Sequence, residues 1–560
     1  MSASAATLRA VDPEEFVNKL LRTRARALVL SVILVAGSGV LAPSAAASAG
    51  ASKPRPAVPA IDWKPCQTGV ECATVAVPLD YDRPNGRMIS LSVKRLPAAD
   101  PARRLGSLFI NPGGPGPAAG AVSAAGTVYP QELRDRFDLV AFDPRGTGDS
   151  TLLRCFTSQA EADAVRHDEI FPITAQQESD WPVKDREFAD ACTANAGPII
   201  DHMSTANGAR DLDLLRRAVG DAQLNFLGYS YGTYLGQTYA NMYPRNVGAM
   251  VIDSVLDPVA WSTGSGRQAK RTPFTTRIQS SAGSEETFEQ FLLLCDQAGA
   301  DCSFSGGAAA RFDALAERLR VQPIPNPNFP DQPLTYQLLI EITARGLYNP
   351  PIWPYIADFL VAAEAGVAAS RAAALVTLEA AEDAAGGPAG TGAAREGALE
   401  RVEAPAATDY IAVEDVPAVG CSDSRNPSST GAWPTASDRD AKKNPYFGPY
   451  WTWFSSVCAV WPGRDHDRYL GPWNARTANP VLVVNNRFDP STPYSGAVTA
   501  SRLLKNSRLL TYAGWGHKVF ATVGSDCIDS AVVSYCIDRT LPPRGTVCQP
   551  KASPFDPDFE

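Results

Sequence analysis

Residues 225–236, Asn225-Phe226-Leu227-Gly228-Tyr229-Ser230-Tyr231-Gly232-Thr233-Tyr234-Leu235-Gly236, decide how the chain folds. Asn225-Phe226-Leu227 reads as a strand, and Tyr231 to Tyr243 reads as a helix stopped by Pro244. Between them lies a Gly-x-Ser-x-Gly turn. A strand that turns this sharply into a helix forces its serine into a strained conformation, and side chains at Gly228 or Gly232 would clash with neighbouring backbone. The Ser230 hydroxyl is then presented at the carboxyl edge of a sheet, near a helix N-terminus. Ser230 is the candidate nucleophile.

The same alternation recurs on both sides of this stretch. Leu108-Phe109-Ile110 and Leu139-Val140-Ala141-Phe142 precede the serine as strands, and Met250-Val251-Ile252 follows it. A helix begins near Thr205, whose hydroxyl is placed to cap it, with Leu212, Leu215 and Val219 on one face. Val481-Leu482-Val483-Val484 and Leu509-Leu510-Thr511-Tyr512 are late strands. Continuous apolar strands alternating with helices imply a mostly parallel sheet covered on both faces, an α/β fold. Short β-rich runs to about residue 98 precede it. From about Trp261 the pattern turns helical, over 285–320 and 355–385, with a flexible break at Gly386-Gly387-Pro388-Ala389-Gly390. The expected division is a leader over 1–49, the first part of the core over 50–260, an inserted helical cap over 261–415, and the rest of the core over 416–560.

A serine nucleophile needs a base, and the chain has 4 histidines. In α/β-hydrolases the order along the chain is Ser, acid, His, with the last two on loops after late strands. His517 fits, in Ala513-Gly514-Trp515-Gly516-His517; His167 and His202 precede the serine, and His466 sits in a charged surface loop. Asp489, just past the strand at Val481–Val484, is the candidate acid, and Asp465 is a weaker one because no strand delivers it. Its task is to accept the histidine Nδ1 proton, fix the tautomer and stabilise the imidazolium. The oxyanion of a tetrahedral intermediate needs N–H donors. The amide of Tyr231 is one, and Gly114 in Asn111-Pro112-Gly113-Gly114-Pro115-Gly116 is the choice for the second, with Gly113 its alternative.

The 560 residues carry a net charge of -9, with 45% hydrophobic and 20% charged residues. That composition belongs to a globular protein, and without a basic stripe it argues against nucleic acid as a partner. Arg22, Arg24 and Arg26 precede an apolar run from Ala27 to Leu41 and a small-residue site at Ala47-Ser48-Ala49, the layout of an export signal. Nothing after it is apolar enough to span a bilayer. Of 11 cysteines, Cys66 with Cys72, Cys155 with Cys192, Cys295 with Cys302, and Cys421 with Cys458 form local pairs. None has zinc-site spacing, so disulfides of an exported chain are expected. Cys527 is paired with Cys548, which leaves Cys536 free. Neither a metal nor an organic cofactor is suggested.

Taken together, Asn111–Gly116, Phe142-Asp143-Pro144-Arg145-Gly146-Thr147-Gly148-Asp149-Ser150, Gly228–Gly236, Asp253-Ser254-Val255-Leu256-Asp257-Pro258, Cys421-Ser422-Asp423 and Cys458-Ala459-Val460-Trp461-Pro462 resemble the secreted tripeptidyl aminopeptidases of actinobacteria, in the prolyl-aminopeptidase-like serine peptidase family. Asp489–Pro493, Gly516-His517 and Gly545-Thr546-Val547-Cys548 extend the likeness to the C-terminal region. The resemblance implies an α/β-hydrolase fold with a helical lid and exopeptidase action on peptides with a free N-terminus. Such an enzyme needs an acidic group for the substrate ammonium, and Glu285, Glu286, Asp313, Glu341 and Asp358 are candidates in the cap. An esterase on the same scaffold is the rival reading, and a non-catalytic envelope binding protein a more remote one. Ser254 departs from the family pattern, which has glycine there.

Overall fold

Strands β1 (Lys64–Gln67), β2 (Val70–Pro78) and β3 (Met88–Leu96) come first among the described residues, and β3 buries every second residue from Ile89 to Val93, as a strand with one covered face does. The next strands are different. In β4 (Gly106–Asn111), β5 (Phe137–Phe142), β6 (Leu224–Tyr229) and β7 (Val247–Asp253) every residue is buried, and β8 (Val481–Phe488) is buried over its first six. With β9 (Ser507–Trp515) and the short β10 (Val547–Cys548) they complete a 10-stranded sheet in the order β1-β2-β3-β5-β4-β6-β7-β8-β9-β10. Pairings from β1 to β5 through β3 are antiparallel, and all those from β5 to β10 are parallel. The computed structural model describes residues 55–560 apart from 328–331, 368–411, 558 and 560. The expected leader, the glycine break at 386–390 and much of the alanine-rich stretch lie outside the described residues.

Successive residues along the central strands feed opposite layers, as the pleat requires. Phe109, Val140, Phe226, Ile252 and Val483 join the core on one side; Leu108, Leu139, Leu227, Val251 and Leu482 join that on the other. Between β7 and β8 a third, aromatic-rich cluster forms, holding Phe288, Phe291, Phe312 and Trp353 from the helices Ser280–Ala298, Ala308–Val321 and Trp353–Glu364. Helices Ala432–Ala441 and Phe447–Trp453 add Trp433, Phe447 and Trp453 to the same cluster. All five expected disulfides form, and Cys536 is free and buried. No helix among the described residues is long and apolar enough to cross a membrane.

The helix near Thr205 runs from Thr205 to Ala218, but Thr205 does not cap it: Ser204 is the N-cap residue, and the Thr205 hydroxyl bonds Asp423 Oδ2 at 2.6 Å. Thr205 is already the first helical residue, and Asp423 takes its amide as well, on Oδ1 at 2.8 Å. The same helix carries Asp211, which receives Arg145 in two bonds, Nε to Oδ2 at 2.8 Å and Nη2 to Oδ1 at 2.7 Å. Arg145 is 2% exposed and also donates to the carbonyls of Pro78 and Leu79, so it ties the antiparallel edge to the parallel core. Removing one partner of such a pair strands a buried charge. Arg145→Ala is therefore expected to destabilise by about 3–5 kcal/mol; a urea midpoint within error of wild type would contradict this.

Candidate active site

Ser230 lies at φ 53 and ψ -124, between β6 and the helix Tyr231–Met242. The flanking glycines have a steric reason. A Cβ on Gly228 would stand 2.5 Å from Gly232 O, and one on Gly232 2.6 Å from Asn111 O. The loop after β4 therefore presses directly on the serine turn. A Cβ on Gly113 would meet Ser230 Cβ at 2.8 Å, in a backbone at φ +112 that side chains avoid. The Gly113 amide donates to Asn111 Oδ1 at 3.0 Å, which commits it inside the loop. Beyond the loop, Asp143 Oδ1 accepts the amides of Ala118 and Ala119, both at 2.8 Å. Because β4 pairs with β5 on one side and β6 on the other, loop and serine share the point where the sheet order reverses, where α/β sheets open a crevice.

Asp489 and His517 are both buried and paired: His517 Nδ1 lies 2.9 Å from Asp489 Oδ1 and 3.1 Å from Oδ2. The carboxylate is itself held. Its Oδ1 accepts the amides of Ser491 and Thr492 at 2.9 and 2.8 Å, and its Oδ2 accepts the Thr492 hydroxyl at 2.9 Å. All the hydrogen bonds of the imidazole are on its Nδ1 side; among the described residues Nε2 makes none. The His517 amide donates to Tyr348 O at 2.7 Å, and the Tyr348 ring packs edge-on against the imidazole, centroids 4.8 Å apart. The helix Ser280–Ala298 seats on the acid loop, Ser280 Oγ donating to Ser491 O at 2.5 Å and Ser284 Oγ to Pro490 O at 2.6 Å.

One residue joins the serine turn to the histidine loop. Asp253, the last residue of β7, accepts the Ser230 amide on its main-chain oxygen at 3.0 Å. Its Oδ2 accepts the amides of Val519 and Phe520 at 3.1 and 2.8 Å. The sequence carries no local signal for Asp253 in this role, since its partners lie 266 and 267 residues away. Thr492 is more legible: Asp-Pro-Ser-Thr is a turn in which the aspartate bonds amides two and three residues on.

The other sequence candidates sit elsewhere. Asp465 accepts the Ser204 amide and Asn207 Nδ2, so it anchors the start of the Thr205–Ala218 helix. His466 is exposed, and His167 stacks on Trp181 and approaches Asp185. Of the acidic cap residues, Glu286 pairs with Arg487, Glu341 with Arg345, and Asp313 with the Tyr446 hydroxyl, while Asp358 is exposed. Burial pushes the Glu285 carboxyl up to about 7, with the amides of Phe447 and Tyr446 opposing. Asp415, outside that set, has Oδ2 3.7 Å from where a Cβ on Gly116 would stand.

Two further buried carboxyls behave like Glu285. Burial pushes Asp253 up to about 7 against the pull of Phe520 and Val519, and Asp423 up to about 7 against that of Thr205. A carboxyl raised above its unfolded value holds its proton more tightly in the fold. The stability this contributes is full below about pH 4 and is lost as pH rises through about 7. The denaturant midpoint is therefore expected to fall between about pH 4 and 7, and Asp423→Asn to flatten that fall. An equally steep fall in the variant would contradict the assignment.

A strained serine after a parallel strand, a glycine loop against it, and a carboxylate–imidazole pair on later loops of the same sheet edge define an α/β-hydrolase. Residues 106–292 match the family model described as alpha/beta hydrolase fold, and 444–548 the one described as TAP-like protein. The chain is 30% identical to serine protease Hip1 of Mycobacterium tuberculosis, over 87% of this chain and 91% of that one. It is 33% identical to carboxylesterase B of the same organism, over 94% and 99%. To the tripeptidyl aminopeptidase of Streptomyces lividans it is 28% identical, over 88% and 87%. The chain belongs to this TAP-like α/β-hydrolase family, and it is a serine hydrolase.

Proposed function

We propose that this serine hydrolase is an exported exopeptidase that cleaves peptides from a free N-terminus, releasing tripeptides, through Ser230, His517 and Asp489. The buried Asp489–His517 pair, with Nε2 left on the side away from the carboxylate, is the observation that carries the mechanism. Ser230 Oγ attacks the scissile carbonyl and its proton passes to His517 Nε2, while Asp489 holds the Nδ1 proton and stabilises the imidazolium. The amides of Tyr231 and Gly114 receive the oxyanion; the commitment of the Gly113 amide to Asn111 favours Gly114 over its neighbour. Collapse expels the amine, which takes the proton from Nε2 and leaves an acyl-enzyme. Water then loses a proton to Nε2 and attacks the acyl carbonyl; the bond to Oγ breaks, Nε2 returns the proton to Oγ, and the released peptide leaves the free serine. Asp415 places a carboxylate beside the Gly113–Gly116 loop, the kind of group a substrate ammonium requires. Five disulfides accord with export, as does the leader read over 1–49.

Likeness to carboxylesterase B favours a second reading, an esterase on the same scaffold. Tripeptidyl anilides with free amines, their N-acetylated analogues and simple acyl esters separate the two. Rapid release from the free-amine substrate and slow release from the blocked one is the expected result. Equal rates on both, with faster turnover of esters, would replace the peptidase by the esterase.

A further inference from the structure

Ser254 stands directly after β7, at φ 59, in the left-handed region that a Cβ disfavours and glycine adopts freely. It is fully buried. Local backbone preference therefore argues for glycine at this position, and the serine needs a reason. The structure supplies one: Ser254 Oγ accepts the amide N–H of Lys518 at 2.7 Å and lies 3.3 Å from Asp253 Oδ1. Lys518 is the residue after His517 and is itself left-handed, at φ 76. On the other side of that residue, Asn486 Nδ2 donates to Lys518 O at 3.1 Å and to Gly516 O at 2.7 Å. The peptide groups on both sides of the imidazole are thus gripped by side chains from the ends of two neighbouring strands. Ser254 is fixed in turn, its own amide donating to Val484 O at 3.0 Å on β8.

We infer that Ser254 is a positioning residue for the base: through Lys518 its hydroxyl sets where the His517 imidazole stands, which glycine at the same place cannot do. The inference rests on the reading of His517 as the base for Ser230. Its side chain reaches no substrate; it acts only through the loop. Misplacing a general base lowers the rate of proton transfer without weakening substrate binding, so the loss belongs in kcat rather than KM.

The test compares Ser254→Gly with Ser254→Ala. The glycine variant loses the hydroxyl and is relieved of the left-handed strain, so its melting temperature should not fall. Its kcat is expected to drop about tenfold with KM within about twofold, and fluorophosphonate labelling of Ser230 to slow in the same proportion. The alanine variant keeps the strain without the hydroxyl, so it should share the kcat loss and be less stable. Wild-type kcat in the glycine variant, or losses in both variants that track melting temperature alone, overturns the inference while leaving the serine mechanism standing. Failure of wild-type Ser230 to label overturns that mechanism and this inference with it.

Discussion

Ser230→Ala is expected to lower kcat by about a millionfold, with KM close to wild type. In the proposed mechanism the serine supplies the bond that splits amide hydrolysis into two easier steps. What remains is the oxyanion loop and substrate binding, which together retain a small acceleration over water. The fold should tolerate the change, because the turn is secured by Gly228, Gly232 and the Ser230 amide bond to Asp253 rather than by the hydroxyl. Initial rates on a free-amine tripeptidyl anilide, with melting temperature measured alongside, provide the check. A folded variant that kept about a tenth of the wild-type rate would remove Ser230 from the mechanism.

Asp489→Asn is expected to lower kcat by about 10,000-fold. An amide can offer its N–H to His517 Nδ1, which holds the imidazole with its proton on Nε2 and unable to accept one from serine. The geometry would survive in outline while the tautomer is wrong. The loop would also lose part of its grip, since an amide nitrogen in place of Oδ2 cannot accept the Thr492 hydroxyl. Asp465→Asn makes the contrast: Asp465 holds Ser204 and Asn207, so its replacement should reduce stability and leave kcat near wild type. If the Asp465 variant lost turnover and the Asp489 variant kept it, the assignment of the acid would be reversed.

The parts legible in the sequence are those with short-range causes. Apolar runs such as Leu139–Phe142 and Val481–Val484 have no polar face, so they must be covered on both sides, and the parallel sheet follows. The serine turn is encoded within five residues by two glycines with no room for a Cβ. His517 is a candidate because so few histidines compete, Asp489 because a strand delivers it, and the two side chains do pair. Disulfides close in sequence, Cys66 with Cys72 and Cys295 with Cys302, were equally plain.

Which distant groups share a partner is settled by packing rather than by local pattern. Thr205 reads as a helix cap and instead opens the helix, donating its amide and its hydroxyl to Asp423, 218 residues away. Ser254 looked like a small departure from a pattern and meets Lys518, 264 residues away. Asp253 carries the serine turn on its carbonyl and the histidine loop on its carboxylate. Hydrophobic periodicity and turn chemistry act over a few residues, so they suffice for the sheet, the serine turn and the candidate pair Asp489 and His517. The groups that hold those partners in register are chosen by hydrogen-bond satisfaction inside the packed core, which exists only once the chain has closed on itself.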